Sequence, residues 1–431
     1  MPTSAGPRSL SCRVTPRRRS CEDIGAAICS DHLGDANGAT TTRPDRWGYG
    51  AGMTPKQRAT DAFIAVEEEL RSISKWMYEN PELAYEEFEC SKRLAGFLAA
   101  HGLEVTRPVY GIETAFEATA GDTGPRVVIC AEYDALPGVG HACGHNIIAT
   151  SSIGAGVALA GLADELGVRV TVLGTPAEEG GGGKIDLLAA GAFEDSAASM
   201  LIHPSPLDLV DPKLLAAQGL DVTYVGKEAH AAASPQMGRN ALDAFVSAYN
   251  SISTLRQQFE PGDRVHGIVT HGGVAPNVIP ASTTSRWIVR AATADRFETL
   301  RARILACFEA AGVATGCEVE ITYEGEPYSN LVTNPVMAAL FVANAVALGR
   351  AMPTMAETGI ATSASSDMGN VSHVIPSIHP SLSIETDAVN HQPEFAAATI
   401  SPSGEQAIRD GALAMAHTVI DMAEQDVWER L

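Results

Sequence analysis

The sequence predicts an α/β protein whose larger domain is built on a mostly parallel sheet, with a smaller α+β domain inserted into it. In the first part of the chain, strand-like hydrophobic runs alternate with helical periodicity, which is typical of a parallel sheet covered by helices on both faces. Between residues 216 and 323 the pattern changes to strands interleaved with two long helices. At 431 residues the chain is also too long for one simple core, so two domains are expected.

The first 53 residues differ from the rest of the chain because they show no hydrophobic periodicity. Arg17, Arg18 and Arg19 resemble the start of an export signal, but no apolar segment follows them. We expect residues 1–53 to be a disordered extension, with Met53 as an alternative start of translation. The larger domain is then predicted to comprise residues 54–215 and 324–431, and the inserted domain residues 216–323.

In the larger domain, helical periodicity at 56–79 is broken at Asn80-Pro81, resumes at 87–101 and ends at Gly102. Strands are predicted next, with helices between them and in the C-terminal part. The predicted strands are 126–131, 169–174, 199–202 and 381–385, and the helices are 147–166, 185–190, 335–348 and 402–425. In the inserted domain, strands are expected at 220–224, 265–271, 284–290 and 317–323, and helices at 240–257 and 294–311.

Composition and charge exclude several classes of function. The chain has 52 acidic and 30 basic residues, a net charge of −22 that argues against nucleic acid or an anionic membrane as partner. No apolar stretch is long enough to span a bilayer. Eight cysteines in a chain of this size do not suggest a disulfide scaffold, and a reducing, cytoplasmic compartment fits best.

Side chains that bind metals follow four of the predicted strands: Cys143, His145, Glu178, Glu179, His203 and His391. Because the carboxyl ends of parallel strands meet at one edge of a sheet, we expect these side chains to converge. Cys143 and His145 are separated by one glycine, a spacing that would point them apart on a helix, so they are expected on an extended turn. The neighbouring His141 is expected to support a ligand rather than to bind metal.

The chemistry of this set predicts a metal centre. A thiolate, imidazoles and a carboxylate suit Zn²⁺ best, and Mn²⁺ or Co²⁺ also fit. If one of the two adjacent glutamates binds metal, the set supplies five ligands. Five ligands exceed one tetrahedral site, which favours two ions that share a bridging group. Taken singly, each residue has an ordinary explanation as a loop thiol, a surface histidine or a solvated helix start. It is their joint placement at four strand ends that favours a functional site.

The adjacent carboxylates of Glu178 and Glu179 suggest a division of roles. One can bind metal while the other acts as general base on a water molecule and later protonates the leaving amine. This pairing predicts hydrolysis rather than metal binding alone. Gly180 to Gly183 follow directly and allow the backbone to approach the site closely.

The chain has a family resemblance that covers about residues 60–425 and is carried by seven motifs in a fixed order. The motifs are NPELAYEE at 80–87, AEYDALPGVGHACGHN at 131–146, GTPAEE at 174–179, GKID at 183–186, RVHGI at 264–268, PNVIP at 276–280 and DMGNVS at 367–372. In these segments the chain resembles the M20 metallopeptidases and amidohydrolases, and more narrowly a branch that acts on dipeptides ending in basic residues. It departs from the usual family pattern at Glu132, where the first metal-binding histidine commonly stands.

The resemblance implies a role for each matching residue. The implied metal ligands are Cys143 as the bridging ligand, His145, Glu179, His203 and His391. Glu178 matches the general base and Asp134 the carboxylate that orients a ligand. His230 matches a lid histidine that reaches the substrate carbonyl across a dimer, and Asn277 and Arg290 match substrate-binding positions. The family fold is a zinc-peptidase-like catalytic domain with a lid that also mediates dimerisation.

Together these observations predict a metal-dependent hydrolase that cleaves the amide bond of dipeptides or N-acyl amino acids. Two divalent ions, most simply Zn²⁺, and a homodimer are expected. Aminobenzoyl-glutamate or N-acyl amino acid hydrolysis is the alternative within this class. A non-catalytic relative that only binds metal or ligand is the alternative from another class, and the presence of Glu178 argues against it.

Overall fold

The computed structural model describes residues 52–359 and 364–431, so the predicted extension at residues 1–53 lies outside the described residues except for its last two. Within the described part of the chain, no helix is both long and apolar enough to cross a membrane.

The α-helices are α1 (Pro55–Ile64), α2 (Glu67–Glu79), α3 (Phe88–Ala100), α4 (His145–Ala160), α5 (Ala163–Leu166), α6 (Gly183–Ala189), α7 (Ala241–Leu255), α8 (Ala294–Thr315), α9 (Pro335–Ala347), α10 (Met355–Thr358), α11 (Met368–Ser372), α12 (Pro393–Ala398) and α13 (Pro402–Glu424). The strands are β1 (Glu104–Thr106), β2 (Phe116–Ala120), β3 (Arg126–Ala131), β4 (Arg169–Gly174), β5 (Ser196–Met200), β6 (His203–Ser205), β7 (Ala216–Val225), β8 (Arg264–His271), β9 (Ser282–Ala291), β10 (Glu318–Tyr328), β11 (Ser377–Ile378) and β12 (Ser381–Ser383).

The larger domain is organised around a six-stranded sheet in the order β1-β2-β4-β3-β5-β11. Strands β4, β3, β5 and β11 run parallel, whereas β1 and β2 are antiparallel additions that the sequence pattern did not predict. All six residues of β3 are buried, as expected for a strand covered on both faces. Because Ala131 pairs with Gly174, the segments that follow β3 and β4 leave the sheet side by side.

A second, two-stranded sheet carries part of the candidate site. Strand β12 pairs in parallel with β6, with Ser381 opposite His203, and neither strand joins the six-stranded sheet. The predicted strand at 199–202 overlaps the last two residues of β5, which ends at Met200, and stops just before β6, which begins at His203. This small sheet, rather than the edge of the main sheet, brings the segments containing His203 and His391 together.

The inserted part of the chain forms an antiparallel sheet in the order β10-β7-β9-β8, with α7 and α8 packed on one face. Its separate hydrophobic core includes Trp287, which lies 5.2 Å from Phe308 between ring centroids. Among the described residues, no helix of the inserted part covers the other face of the sheet, and β8 is an edge strand. Strand β10 runs to Tyr328, beyond the predicted boundary at residue 323. We refer to this part, residues 216–328, as the lid.

Candidate metal centre

A glycine turn brings Cys143 and His145 to one place. Gly144 has φ +85°, in the left-handed region, and a Cβ at this position would collide with Cγ of Pro204. Only glycine satisfies both conditions without strain. The turn delivers Cys143 to the segment after β5, with its Sγ 3.5 Å from Nε2 of His203. Cys143 and Gly144 precede the helix, as predicted, whereas His145 is already the first residue of α4.

All six predicted metal-site side chains converge in the structure. Three sets of ligand atoms lie within 4.8 Å of one another: Cys143, His145 and His203; Cys143, Glu179 and His391; His145, Glu178 and Glu179. Cys143, His145 and Glu179 each belong to two of the three sets and so connect them. Individual distances are short, with Oε1 of Glu179 lying 3.5 Å from Nε2 of His391 and 3.8 Å from Nε2 of His145.

Hydrogen bonds orient the two buried histidines of the cluster. Nδ1 of His145 lies 3.0 Å from Oδ1 of Asp134, and Nδ1 of His203 lies 2.8 Å from the carbonyl oxygen of Pro204. In the neutral form of each ring, which is the form that binds metal, these contacts place the proton on Nδ1, and Nε2 then has a lone pair that faces the cluster. Asp134 also accepts a hydrogen bond from the backbone N–H of Glu179 at 2.9 Å, so it positions two of the candidate ligands.

His391 reaches the cluster from a strained backbone. Its φ is +74°, which is uncommon for a residue with a side chain, and its N–H donates to the carbonyl oxygen of Ala142 at 2.8 Å. The side chain is 56% exposed, whereas that of Glu179 is 11% exposed. His391 therefore lies on the solvent side of the cluster, where substrate would approach.

The electrostatics of the cluster reflect crowded carboxylates. Burial raises the pKa of Glu178 well above its usual range, and the neighbouring Glu132 and Glu179 raise it further. Burial would raise the pKa of Glu179 as well, but the adjacent imidazoles of His391 and His145 lower it to about 2. Burial raises the pKa of the Cys143 thiol. Divalent cations would relieve this repulsion and stabilise the thiolate, so the charges fit a metal centre.

Unpaired buried atoms point to the same conclusion. Nε2 of His145 and Oε1 of Glu179 are buried and have no hydrogen-bond partner among the described residues, although both face the cluster. A buried polar atom without a partner is unfavourable, by about 1–3 kcal/mol, and needs an explanation. Sulfur, imidazole nitrogen and carboxylate oxygen together are the donor set that Zn²⁺ prefers. The residues therefore fit one or two divalent ions.

A buried ion network beside the cluster was missed by the sequence reasoning. Nζ of Lys184, which is fully buried, lies 2.6 Å from Glu132 and 2.7 Å from Asp367. The other oxygen of Glu132 lies 3.5 Å from Nε2 of His145. Lys184 thus pairs with the residue that replaces the usual first ligand of the family. All three residues of the network lie in the motifs quoted above, but no spacing rule connects Lys184 to a partner 183 residues away.

Two further histidines lie beside the cluster without joining it. Burial lowers the pKa of both His141 and His379 to about 3, so both rings are neutral. His379 stacks on His203 with 5.4 Å between ring centroids. Within the described part of the chain, His141 makes no hydrogen bond to a candidate ligand, so its expected supporting role is limited to packing.

The predicted substrate-binding residues lie in the lid. His230 and Asn277 are adjacent, because the carbonyl oxygen of Asn277 accepts a hydrogen bond from the N–H of Ala231 at 3.0 Å. Both lie at the surface, and neither belongs to the metal-site cluster formed by the described residues of this chain. Arg290 lies on the lid sheet. Its Nη1 donates to Oγ of Ser365 in the larger domain at 2.7 Å, and burial lowers its pKa.

Comparison with known proteins identifies the family. The family model described as Peptidase family M20/M25/M40 matches residues 128–420. The chain belongs to this family. The resemblance inferred from the motifs is thereby confirmed, and the chain is a hydrolase. Residues 128–420 contain every candidate ligand and the whole lid, so the match covers the complete candidate site.

Relatives and solved structures agree with this assignment. The Xaa-Arg dipeptidases of Mus musculus and Homo sapiens are 40% and 38% identical, each over 85% of this chain and 88% of the relative. A component of the p-aminobenzoyl-glutamate hydrolase of Escherichia coli is 31% identical over 66% of this chain and 63% of its own length. A Bacillus subtilis structure described as a dinuclear metal binding peptidase from the M20 family has a TM-score of 0.65 at 21% identity, covering 84% of this chain and 99% of that one. The last comparison confirms the predicted fold class.

Proposed function

We propose that this protein is a dinuclear metallohydrolase that cleaves the amide bond of dipeptides or N-acyl amino acids. The observation that carries the proposal is the convergence of the Cys143, Glu179 and histidine ligand atoms, with the carboxylate of Glu178 beside the ligand atoms of His145 and Glu179. The ligands are Cys143, His145, Glu179, His203 and His391. A protein that only bound metal would not need the additional carboxylate.

Within this proposal the chain's own groups divide the work. Divalent ions, when bound, would supply Lewis acidity that lowers the pKa of water and polarises an amide carbonyl. Glu178 takes the proton of the attacking water and delivers it to the leaving amine nitrogen. Its burial suits this role, because a carboxylate shielded from bulk water is a stronger base than an exposed one. Asp134 holds His145 and the backbone of Glu179 in place.

For the substrate, we propose dipeptides with a basic C-terminal residue. The support is the 40% identity to the mouse Xaa-Arg dipeptidase across 85% of this chain. The net charge of −22 also favours cationic substrates over anionic ones. Arg290 is proposed to bind the substrate carboxylate, for which the planar guanidinium is suited, with Asn277 beside His230 as a further substrate contact. Aminobenzoyl-glutamate remains the second candidate, since the E. coli relative matches 66% of this chain.

The first prediction is a substrate preference. Protein loaded separately with Zn²⁺, Mn²⁺ or Co²⁺ should hydrolyse Ala-Arg and Ala-Lys with a higher kcat/KM than Ala-Glu or aminobenzoyl-glutamate. The expected difference in kcat/KM is on the order of tenfold or more, because a site that pairs with a polar substrate group discriminates against substrates that lack the group. Chromatographic measurement of the free amino acid released from each substrate gives these kcat/KM values.

The same panel can reject the proposal. Protein that binds metal stoichiometrically but hydrolyses none of the dipeptides or N-acyl amino acids would be a binding protein instead. Faster cleavage of aminobenzoyl-glutamate than of Ala-Arg would leave the hydrolase assignment in place and replace the substrate. Metal-free protein is the blank for both comparisons.

We also propose that the protein is a homodimer assembled through the lid. Strand β8 stands at the edge of the lid sheet, where a second copy can pair with it. Apolar side chains near this edge are exposed, with Ile268 64% and Val274 85% accessible. An exposed apolar strand edge is a typical interface feature. His230 would then act on the substrate bound by the partner copy.

The second prediction concerns His230. Its Nδ1 accepts hydrogen bonds from the N–H groups of Ala232 and Ala233, at 3.2 and 3.1 Å, so the proton of the neutral ring lies on Nε2. That N–H can donate to the substrate carbonyl oxygen as negative charge develops there. His230→Ala should therefore lower kcat by about a hundredfold or more and leave metal content unchanged. Steady-state kinetics with metal analysis of the same samples measures both.

His373, an exposed histidine of the larger domain outside the lid, provides the control. His373→Ala should retain normal kcat. If His230→Ala also retains it, the proposed action across the dimer is wrong. Mixing inactive Glu178→Gln protein with inactive His230→Ala protein offers a further test, because heterodimers would regain one complete site and part of the activity.

A further inference from the structure

The backbone that carries Glu178 is held by three side chains from three distant parts of the chain. The N–H of Ala177 donates to Oε1 of Glu87 at 2.8 Å, and the N–H of Glu179 donates to Oδ2 of Asp134 at 2.9 Å. Between them, the hydroxyl of Tyr328 donates to the carbonyl oxygen of Glu178 at 2.5 Å. Each residue of segment 177–179 is thus held by one of these three side chains. Of the three contacts, only that of Asp134 fits a role expected from the sequence.

This segment has a conformation that needs such support. Ala177 has φ +60°, in the left-handed region, which is unfavourable by about 1–2 kcal/mol for a residue with a Cβ. Backbone strain of this kind persists only where the surroundings hold it, and it clusters at functional sites. Ala177 and Glu87 are both completely buried, so bulk water does not compete for their hydrogen bond. The strain orients the next residue, Glu178, toward the candidate ligands.

Tyr328 connects this segment to the lid. It is the last residue of β10, at the point where the chain leaves the lid for the larger domain. Its ring packs against the same glycine-rich loop, because a Cβ on Gly182 would lie 3.1 Å from Cε1 of Tyr328. Nearby, a Cβ on Gly325 would lie 3.6 Å from the carbonyl oxygen of Gly181. The end of the lid strand therefore contacts the loop that follows Glu178 as well as the residue itself.

We propose that Tyr328 is a positioning residue for the reaction, which fixes the Glu178 peptide and transmits the orientation of the lid to it. The proposal rests on the role of Glu178 as general base. A general base acts only within hydrogen-bond reach of the proton it accepts, and a displacement of about 1 Å can lower the rate a hundredfold. A movement of the lid relative to the larger domain would displace the end of β10 and thereby the hydroxyl that holds the base. Glu87 supports the same segment through Ala177.

The test compares two tyrosines with the same hydrogen-bond chemistry. Tyr328→Phe should lower kcat by about ten- to a hundredfold, with KM and metal content unchanged. The matched control is Tyr224→Phe, because the Tyr224 hydroxyl also donates to a backbone carbonyl, that of Phe308 at 3.0 Å, but inside the lid core. Tyr224→Phe should lower thermal stability without lowering kcat. For the second contact, Glu87→Gln keeps a carbonyl acceptor for Ala177 and should retain most of kcat, whereas Glu87→Met should lose it.

The outcomes separate this inference from the proposed function. If wild-type protein is inactive on the whole substrate panel, the function is wrong, and the crystal structures of the wild type and Tyr328→Phe still test the contact. Residues 177–179 that superimpose in the two structures would overturn the positioning role. With active wild type, an unchanged kcat for Tyr328→Phe, or a loss matched by Tyr224→Phe, overturns it as well. Displacement of the Glu178 carboxylate together with a selective loss of kcat supports it.

Discussion

Glu178→Gln is expected to lower turnover by roughly a thousandfold while leaving the metal content unchanged. Glutamine has nearly the same shape as glutamate but cannot accept and return a proton at neutral pH. The carboxylate of Glu178 lies 3.9 Å from Nε2 of His145 and is 8% exposed, so its role as proton acceptor is not readily taken over by bulk water. Single-turnover kinetics on Ala-Arg, with metal analysis of the same preparation, measures the effect.

Glu179→Gln is the matched comparison because it changes the adjacent carboxylate in the same way. Glu179 contacts both His145 and His391, and we expect its substitution to reduce metal content as well as turnover. The two roles would be reversed if Glu178→Gln lost metal and Glu179→Gln retained it. Normal turnover of Glu178→Gln would rule out general-base catalysis by this residue.

Lys184→Met is expected to lower the free energy of unfolding by about 3–5 kcal/mol. Lys184, Glu132 and Asp367 are all completely buried, and the ammonium group forms an ion pair with each carboxylate. Burial would lower the pKa of Lys184, but the two carboxylates raise it well above its usual value, so the group is charged. Removing it leaves two buried charges without a cation. Urea unfolding of metal-free protein followed by circular dichroism measures the change.

Lys56→Met provides the control for this substitution. Lys56 also forms a short ion pair, with Asp421 at 2.6 Å, but its side chain is 35% exposed. Its loss should therefore change stability by about 1 kcal/mol or less. If charge is the cause, adding Glu132→Gln and Asp367→Asn to Lys184→Met should restore part of the stability. A Lys184→Met variant as stable as Lys56→Met would show that the network contributes little.

The local parts of the fold could be predicted because they depend on local patterns. Strands β3 and β4 have the predicted bounds, since continuous apolar runs flanked by loop residues leave little ambiguity. The antiparallel strands β1 and β2 could not be predicted in the same way. They are short and β1 is largely exposed. Their place in the sheet depends on the pairing of β2 with β4 and of β1 with β2 rather than on their own sequence.

The candidate site shows the same division. Candidate metal ligands near strand ends are visible in sequence because Cys, His and Glu are chemically distinctive and closely spaced, as at Cys143 and His145. Tyr328 and Glu87 carry no such signal. Each acts through one hydrogen bond to a backbone group far away in sequence, 150 residues for Tyr328 and 90 for Glu87.

By itself the sequence determined the fold class and the family and predicted the set of candidate metal ligands, because these follow from periodicity, residue chemistry and ordered motifs. Only the tertiary structure decided how the set is assembled. It showed that Gly144 must be glycine to clear Pro204, that His203 and His391 are brought in by a separate small sheet, and that Lys184 neutralises Glu132. The physical reason is that close packing and buried ion pairs depend on distances between segments far apart in the chain.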